Sequence, residues 1–297
     1  MPQGDSWQGY SPGITVEPGK DAKGKPDPCR SIITVNFWLD GAASIKNGCL
    51  PNYFSSYPGD LEGVDLDVLF SEARSILEGK RFACPCKKPP GKKCWLEFRI
   101  KVHKSPEGDE DGGATPVPIE LNCNCKKKRI GGELYHGPRP GYYVHGPHRM
   151  HICLPILPTS PHTVAHEVMH ALGLGLNTDM YDRNGRPLRG WEGTLMGDAH
   201  GTDVTERDIC KIAAANRACQ VPKKNGKAKQ CCVSYSSTVF AKPGGKVKRA
   251  EVVPVATAPT PERNYMLLQS LAAPVVSVPS GSSQPWGGLT LQASEEF

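Results

Sequence analysis

One short segment of the sequence places two histidines and a glutamate at a spacing that suits metal chemistry. His166 and His170 are separated by three residues, and Glu167 directly follows the first histidine. Four residues is close to one helical turn, so both imidazoles would project from the same face of a helix and could bind one cation. The segment therefore predicts a metal centre with two histidine ligands, for which Zn²⁺ is the expected occupant.

Glu167 is placed to reach a water molecule bound to that cation. Water bound to zinc has a pKa of about 7, so a nearby carboxylate can take its proton as the water attacks a carbonyl carbon. The same carboxylate can then deliver the proton to the leaving amine. The sequence therefore predicts a zinc-dependent hydrolase that cleaves peptide bonds, with Glu167 as the general base.

These three residues need a helix that presents one face to the metal and buries the other. The sequence predicts a helix from Pro161 to Leu172, with Ser160 as its N-cap and Gly173 at its C-terminal end. Four apolar residues are available for its buried side: Val164, Val168, Ala171 and Leu172.

The pattern His166-Glu167-x-x-His170-x-x-Gly173 resembles the start of the extended motif of the metzincin metallopeptidases. In that family the glycine permits a sharp turn, which brings in a third metal ligand three residues later. Downstream, segment 193–197 (Gly-Thr-Leu-Met-Gly) resembles the Met-turn of the family, in which a methionine, here Met196, lies beneath the metal. The resemblance covers roughly residues 30–219.

The resemblance carries expectations about fold and activity. It implies a metzincin-like α+β fold, with a mixed twisted sheet, an active-site helix and a C-terminal helix. It implies a zinc endopeptidase that acts on a protein or peptide substrate. It also implies that the strand before the active-site helix, here His151–Leu154, pairs with the extended substrate.

The third ligand is where the sequence departs from the family. Leu176 occupies the expected position and cannot bind metal. Asp179 is the predicted replacement because it is nearest in sequence, and a shift of the loop by a few residues could present its carboxylate. Asp182 and His200 are alternatives. A chain with no third protein ligand would be a catalytically inactive, metzincin-like binding or scaffold protein, and this second hypothesis remains open.

Hydrophobic patterns predict the elements around the centre. Residues Leu66 to Leu77 repeat at helical spacing, with Asp65 or Asp67 as a cap. A final helix is expected to begin at Thr205, whose spacing to Asp208 suits a capping box. Strands are predicted at Ile32–Leu39, Leu96–Val102, Ile119–Leu121, Tyr142–Val144 and His151–Leu154.

Composition divides the chain into three parts. Its 297 residues include 32 Gly and 28 Pro, and only 38% are apolar, which is low for a wholly globular chain. Residues 1–29 are predicted to form a flexible arm and residues 30–220 the metallopeptidase-like domain. Residues 221–297 are predicted to form a basic linker and a disordered tail rich in Pro and Ser.

Twelve cysteines favour a disulfide-stapled domain. A structural zinc site drawn from Cys84, Cys86, Cys94, Cys123 and Cys125 is disfavoured, because a single residue separates the paired cysteines. Disulfides predict a secreted or extracytoplasmic protein. The stretch from Met1 to Lys20 nevertheless lacks the pattern of a signal peptide, and no segment has the length of a membrane span.

The remaining charges and histidines are expected to lie on solvated surfaces. The net charge of +6 comes largely from short basic runs that lack interleaved aromatic residues, so a nucleic-acid partner is not expected. Exposed loop positions are predicted for four histidines: His136, His145, His148 and His151. His162, one turn before His166, is expected at the surface. The sequence does not indicate an oligomeric state.

Overall fold

The computed structural model describes fourteen ranges of the chain. They are 6–21, 23–49, 66–86, 93–103, 105–108, 114–123, 129–130, 133–134, 140–159, 162–175, 178–182, 185–222, 228–230 and 247–255. All structural statements below concern these residues.

The described residues form thirteen strands and five α-helices. The strands are β1 (Trp7–Gln8), β2 (Ile14–Lys20), β3 (Pro26–Leu39), β4 (Lys80–Pro85), β5 (Lys93–His103), β6 (Val117–Asn122), β7 (Arg129–Ile130), β8 (Glu133–Leu134), β9 (Gly141–Val144), β10 (Arg149–Cys153), β11 (Gln220–Pro222), β12 (Ala228–Gln230) and β13 (Val252–Pro254). The helices are α1 (Gly41–Lys46), α2 (Leu66–Leu69), α3 (Ser71–Leu77), α4 (Thr163–Ala171) and α5 (Glu206–Ala215). The chain is thus a mixed α/β protein.

Nine of the strands form one mixed sheet. Its order is β13-β4-β5-β3-β6-β10-β9, and β1 and β2 extend it beside β3. Strand β3 runs parallel to β5 and β6, and β10 runs parallel to β6. Strand β9 is antiparallel to β10 and forms one end of the sheet. The predicted mixed sheet is confirmed at this coarse level.

The two faces of the sheet differ because side chains alternate along each strand. On β3, Ile33, Val35 and Phe37 are fully buried on one face, where the Phe37 ring lies 4.9 Å from that of Phe70 beside the helices. The opposite face carries charged pairs, such as Arg30 with Glu97. One face of the sheet therefore holds the core and the helices.

The prediction of a flexible N-terminal arm is wrong for residues 14–20. Strand β2 pairs antiparallel with β3, and Ile14 and Val16 are fully buried against it. The tail prediction is wrong for residues 252–254, because β13 pairs with β4. Composition could not reveal β13, because this strand has three residues and pairs with a strand distant in sequence. It also could not reveal β2, which forms a hairpin with β3 in a stretch whose Pro and Gly content is typical of a loop.

Two helices differ from their predicted bounds. Helix α4, which carries His166 and His170, begins at Thr163 rather than Pro161, and its N-cap residue His162 makes no capping hydrogen bond through its side chain. Ser160, the predicted cap, lies outside the described residues. The predicted helix from Leu66 to Leu77 is interrupted at Phe70. The capping box of Thr205 and Asp208 at α5 is confirmed.

Cysteines within the described residues form disulfide crosslinks, of which two join distant parts of the chain. Cys29–Cys94 joins β3 to β5, and Cys49–Cys123 joins the residues after α1 to the end of β6. The predicted use of cysteines as crosslinks is confirmed for these two pairs, and they are compatible with an extracytoplasmic location. No helix in the described part of the chain is long and apolar enough to cross a membrane.

Burial of β2 predicts that the N-terminal segment stabilises the fold. Replacing the buried Ile14 with alanine should lower the free energy of unfolding by about 2–5 kcal/mol, measured by chemical denaturation. The matched control is Ile45→Ala in α1, where the side chain is 42% exposed and the change should be within about 0.5 kcal/mol. Equal, small effects at both positions would contradict the packing of β2 into the sheet.

Candidate metal centre

Helix α4 presents two histidines to one point in space. His166 and His170 are four residues apart within Thr163–Ala171, and their Nε2 atoms are 3.2 Å apart. The helix is almost entirely buried, and His170 is only 5% exposed. The sequence prediction that these two rings share one face of a helix is therefore confirmed.

Backbone carbonyl groups orient both rings. His166 Nδ1 lies 2.9 Å from the carbonyl oxygen of Leu195, and His170 Nδ1 lies 2.9 Å from that of Leu174. A carbonyl oxygen can only accept a hydrogen bond, so Nδ1 must carry a proton in each ring. In the neutral rings, both Nε2 atoms then present lone pairs, as metal-bound histidines do.

Asp179 completes a group of three. Its Oδ1 lies 2.9 Å from His170 Nε2 and 3.4 Å from His166 Nε2. These separations match the spacing of about 3.3 Å between ligand atoms that tetrahedral zinc requires at its usual bond lengths. The structure thus brings together the three predicted ligands, while Leu176 lies outside the described residues.

The chemistry of the three atoms fits a bound cation. Asp179 Oδ1 is buried and accepts no hydrogen bond of good geometry, although both imidazoles are close. Two imidazole lone pairs and a carboxylate oxygen repel one another at these distances, because all three are acceptors. A proton or a metal ion must therefore lie among them, and the donor set suits Zn²⁺.

The electrostatics of the metal-free centre agree with this need for positive charge. Burial alone would lower the pKa of His166, but Asp179, the charge of Glu167 and the Leu195 carbonyl outweigh burial and raise it to about 9. Burial alone would raise the pKa of Asp179, but His166 and His170 hold it well below its usual range. The metal-free centre therefore holds a proton on His166 at neutral pH.

Tyr181 fixes the other carboxylate oxygen. Its hydroxyl donates to Asp179 Oδ2 at 2.9 Å, so Oδ1 is left to face the imidazoles. The amide of Met180 donates to the carbonyl of Met196 at 2.8 Å, which ties this loop to the segment that orients His166. This contact of Tyr181 with the candidate ligand Asp179 was not predicted from the sequence. The position of Tyr181 two residues after Asp179 was the only available signal.

The turn after α4 brings one of the orienting carbonyls into place. Gly173 has φ of 112°, a backbone conformation that favours glycine, and the Leu174 amide donates to the Met169 carbonyl at 3.2 Å. This turn carries the Leu174 carbonyl back towards His170. The predicted helix end at Gly173 is confirmed. In the metzincin motif the corresponding turn leads to a third metal ligand, whereas here it positions the carbonyl that contacts His170.

Segment 193–197 supports the centre through its backbone. Leu195 supplies the carbonyl for His166, and its own amide donates to the Asp203 carbonyl at 2.9 Å. Met196 is fully buried. These contacts give the segment a positioning role, and the placement of Met196 beneath a metal stays a prediction.

Glu167 lies beside the edge strand of the sheet. It is 4% exposed. A Cβ atom added at Gly141 in β9 would lie 3.2 Å from Glu167 Oε1 and 2.7 Å from Thr163 Cγ2. The backbone of β9 can approach the carboxylate this closely only because residue 141 is a glycine.

The prediction that the strand at His151–Leu154 pairs with substrate is wrong. Strand β10 is already paired on both sides, with β6 and with β9. Strand β9 is the end strand of the described sheet and lies next to Glu167. Among the described strands at this end of the sheet, β9 is therefore the one with an edge at which an extended peptide could pair.

Other candidate residues lie away from the three ligand atoms. Asp182 is exposed and accepts from the Arg186 amide, and His200 is exposed. His162 lies 3.1 Å from Glu72 of α3, which places it against that helix rather than at the centre. His136 lies outside the described residues.

The loop histidines are less exposed than predicted. His151 is close to Glu120, and its ring stacks on Tyr142 at 4.2 Å. His145 lies beside the centre, with its ring 5.5 Å from that of His170. Burial, with the nearby charges of His170 and His148, lowers the pKa of His145 to about 4, so this ring is neutral at physiological pH.

Comparison with known proteins adds no relative. No protein-family model matches the chain, and neither a curated protein nor a solved structure matches it. Function must therefore be inferred from the residues and geometry of this centre.

The raised pKa of His166 predicts that zinc and protons compete. The pKa exceeds the ordinary value of 6.5, so the protonated ring stabilises the metal-free fold fully below pH 6.5 and loses this effect as pH rises through about 9. Zinc binding requires loss of that proton, so the logarithm of the affinity should rise by about one unit per pH unit between pH 7 and 9. Calorimetric zinc titration in buffers of different ionisation enthalpy would measure the released proton. A pH-independent affinity without proton release would contradict the proposed ligand set.

Proposed function

We propose that this chain is a zinc-dependent metallopeptidase that hydrolyses peptide bonds, with Glu167 as general base and His166, His170 and Asp179 as zinc ligands. The observation that carries the proposal is the convergence of three acceptor atoms at 2.9–3.4 Å. Three protein ligands leave a tetrahedral ion one open position, as catalytic zinc sites do and closed structural sites do not.

The roles of the chain's own residues follow from their placement. Zinc bound at this centre would polarise the peptide carbonyl and lower the pKa of a water molecule towards neutrality. Glu167 takes a proton from that water as its oxygen bonds to the carbonyl carbon. The same carboxyl group then protonates the amide nitrogen as the carbon–nitrogen bond breaks. No net proton is consumed by the glutamate.

The order of elements supports a metzincin-like arrangement. A strand (β3), helices (α2 and α3), further strands, the helix with both histidines (α4), segment 193–197 and a final helix (α5) follow one another along the chain. The resemblance implies the last part of this order, in which the active-site helix is followed by the Met-turn-like segment and a C-terminal helix. In this proposal Asp179 takes the place of the ligand that is missing at Leu176. The missing third ligand was the reason to consider an inactive scaffold protein, so the enzyme is favoured.

Substrate binding is best assigned to the edge strand β9. An unpaired strand edge can add an extended peptide through backbone hydrogen bonds. Gly141 in this strand lies beside Glu167, so a peptide paired there would pass the general base. We therefore propose an unfolded or extended protein segment as the substrate class.

The role of Glu167 as general base predicts that its replacement abolishes catalysis while the protein still binds zinc. Glu167→Gln should reduce cleavage of a fluorogenic peptide library at least about 10²-fold, because the general base is removed. Zinc content should stay at the wild-type level, since Glu167 is not a ligand. The matched control is Glu192→Gln, which changes an exposed glutamate and should leave cleavage unchanged.

Two outcomes would contradict the proposed enzyme. One is a wild-type protein that binds zinc stoichiometrically and cleaves no peptide of the library. The other is unchanged cleavage by the Glu167→Gln variant.

The close approach of Gly141 to Glu167 predicts that a larger residue at position 141 lowers catalytic activity while zinc binding is retained. Gly141→Ala would press a methyl group against Thr163 and Glu167, so kcat/KM should fall by about 10- to 100-fold as the base is displaced. Gly146→Ala is the matched control, because a Cβ atom there meets nothing within 4 Å. Equal activity of both variants would show that β9 does not constrain Glu167.

A further inference from the structure

His145 is a half-buried residue beside the centre that the mechanism above does not use. It follows β9 directly, and its ring meets that of His170 edge-on, with 5.5 Å between centroids and 87° between planes. It is not one of the three residues whose ligand atoms lie within 4.8 Å of one another. His145 is thus beside the metal ligands without being one of them.

Tyr10 contacts the Nδ1 atom of this ring. Its hydroxyl lies 3.3 Å from His145 Nδ1. Tyr10 is itself anchored, because its amide donates to Asn216 Oδ1 at 2.8 Å and Asn216 Nδ2 donates to the Leu172 carbonyl at 2.7 Å, at the end of α4. When the Tyr10 hydroxyl donates to Nδ1, the ring proton lies on Nε2.

The Nε2 atom of His145 has no assigned task within the described structure. It is buried and has no hydrogen-bond partner there. Buried donors are rarely left without an acceptor, and those that are call for an explanation. An oxygen atom bound beside His170 would supply the missing acceptor.

We propose that His145 Nε2–H donates a hydrogen bond to the carbonyl oxygen of the scissile peptide as negative charge develops on it. The inference rests on the proposed peptidase function and deepens it. The histidine keeps its proton throughout: the water proton goes to Glu167 and then to the amide nitrogen as the carbon–nitrogen bond breaks. A neutral donor aimed at a developing oxyanion stabilises the transition state more than the substrate.

The test compares His145→Phe, which removes the donor, with His145→Gln, whose amide N–H can replace it. His148→Gln is the control, because His148 lies in the same loop and contacts Tyr143 rather than Tyr10 through a hydrogen bond. Three quantities are measured for each variant: zinc affinity, kcat and KM on a cleaved peptide, and binding of two anions to Co²⁺-loaded protein. The anions are methylphosphonate, which is tetrahedral, and acetate, which is planar.

The expected result is a selective loss. His145→Phe should lower kcat about 10²-fold and weaken methylphosphonate binding about 10-fold or more, with zinc affinity, KM and acetate binding changed less than about 3-fold. His145→Gln should recover most of both losses. Tyr10→Phe should lower kcat by a smaller factor, because the variant lacks the hydroxyl that contacts Nδ1.

Three results would overturn the inference. A zinc affinity more than about 10-fold lower in His145→Phe would assign His145 to metal binding, either as a ligand or as a support for His170, instead of to the oxyanion. An unchanged kcat with unchanged methylphosphonate binding would remove its role while leaving the peptidase intact. If the Phe variant fails to fold, the ¹⁵N ring shifts of His145 in the wild type still decide, since a proton on Nδ1 excludes the proposed donor.

These readouts separate the inference from the proposed function. A wild type that cleaves nothing refutes the peptidase, and the anion comparison and the ring shifts still report on His145. If the wild type is active and the His145→Phe variant keeps the same kcat and methylphosphonate binding, only the inference about His145 is refuted.

Discussion

The geometry of the centre depends on two hydrogen bonds from imidazole to backbone. The carbonyls of Leu195 and Leu174 each accept from Nδ1 of a histidine, and this acceptance leaves both Nε2 atoms facing the Asp179 carboxylate. Three acceptors held at such short distances need a positive charge between them. The protein can supply a proton when metal-free, and a metal ion satisfies all three atoms at once.

The rest of the fold holds these two carbonyls and the carboxylate in their relative positions. The turn at Gly173 carries the Leu174 carbonyl back over the helix end, and the 2.8 Å hydrogen bond between Met180 and Met196 ties the Asp179 loop to the segment that holds Leu195. Helix α4 packs against strands β9 and β10 on the core face of the sheet. Strand β9 approaches Glu167 through Gly141, and among the described residues its outer edge has no strand partner.

The sequence could predict what depends on local spacing. The two histidines, their shared helix face, the helix end at Gly173 and the capping box at Thr205 all arise within a few residues. Asp179 was predicted only as the nearest of several candidates, because loop conformation decides which carboxylate returns to the helix. The position of His145 beside His170 could not be predicted, because it depends on the pairing of β9 with β10. Strand β2 could not be predicted either, since it pairs with β3 despite a polar, Pro- and Gly-rich composition.

X-ray absorption at the zinc edge of the purified protein tests the metal centre most directly. We expect one zinc per chain with nitrogen and oxygen ligands at about 2.0–2.2 Å, including two imidazoles, and loss of this signal in Asp179→Asn. Protein that binds no zinc would contradict this expectation. Sulfur ligands at about 2.3 Å would also contradict it, because they would place the metal among the cysteines instead.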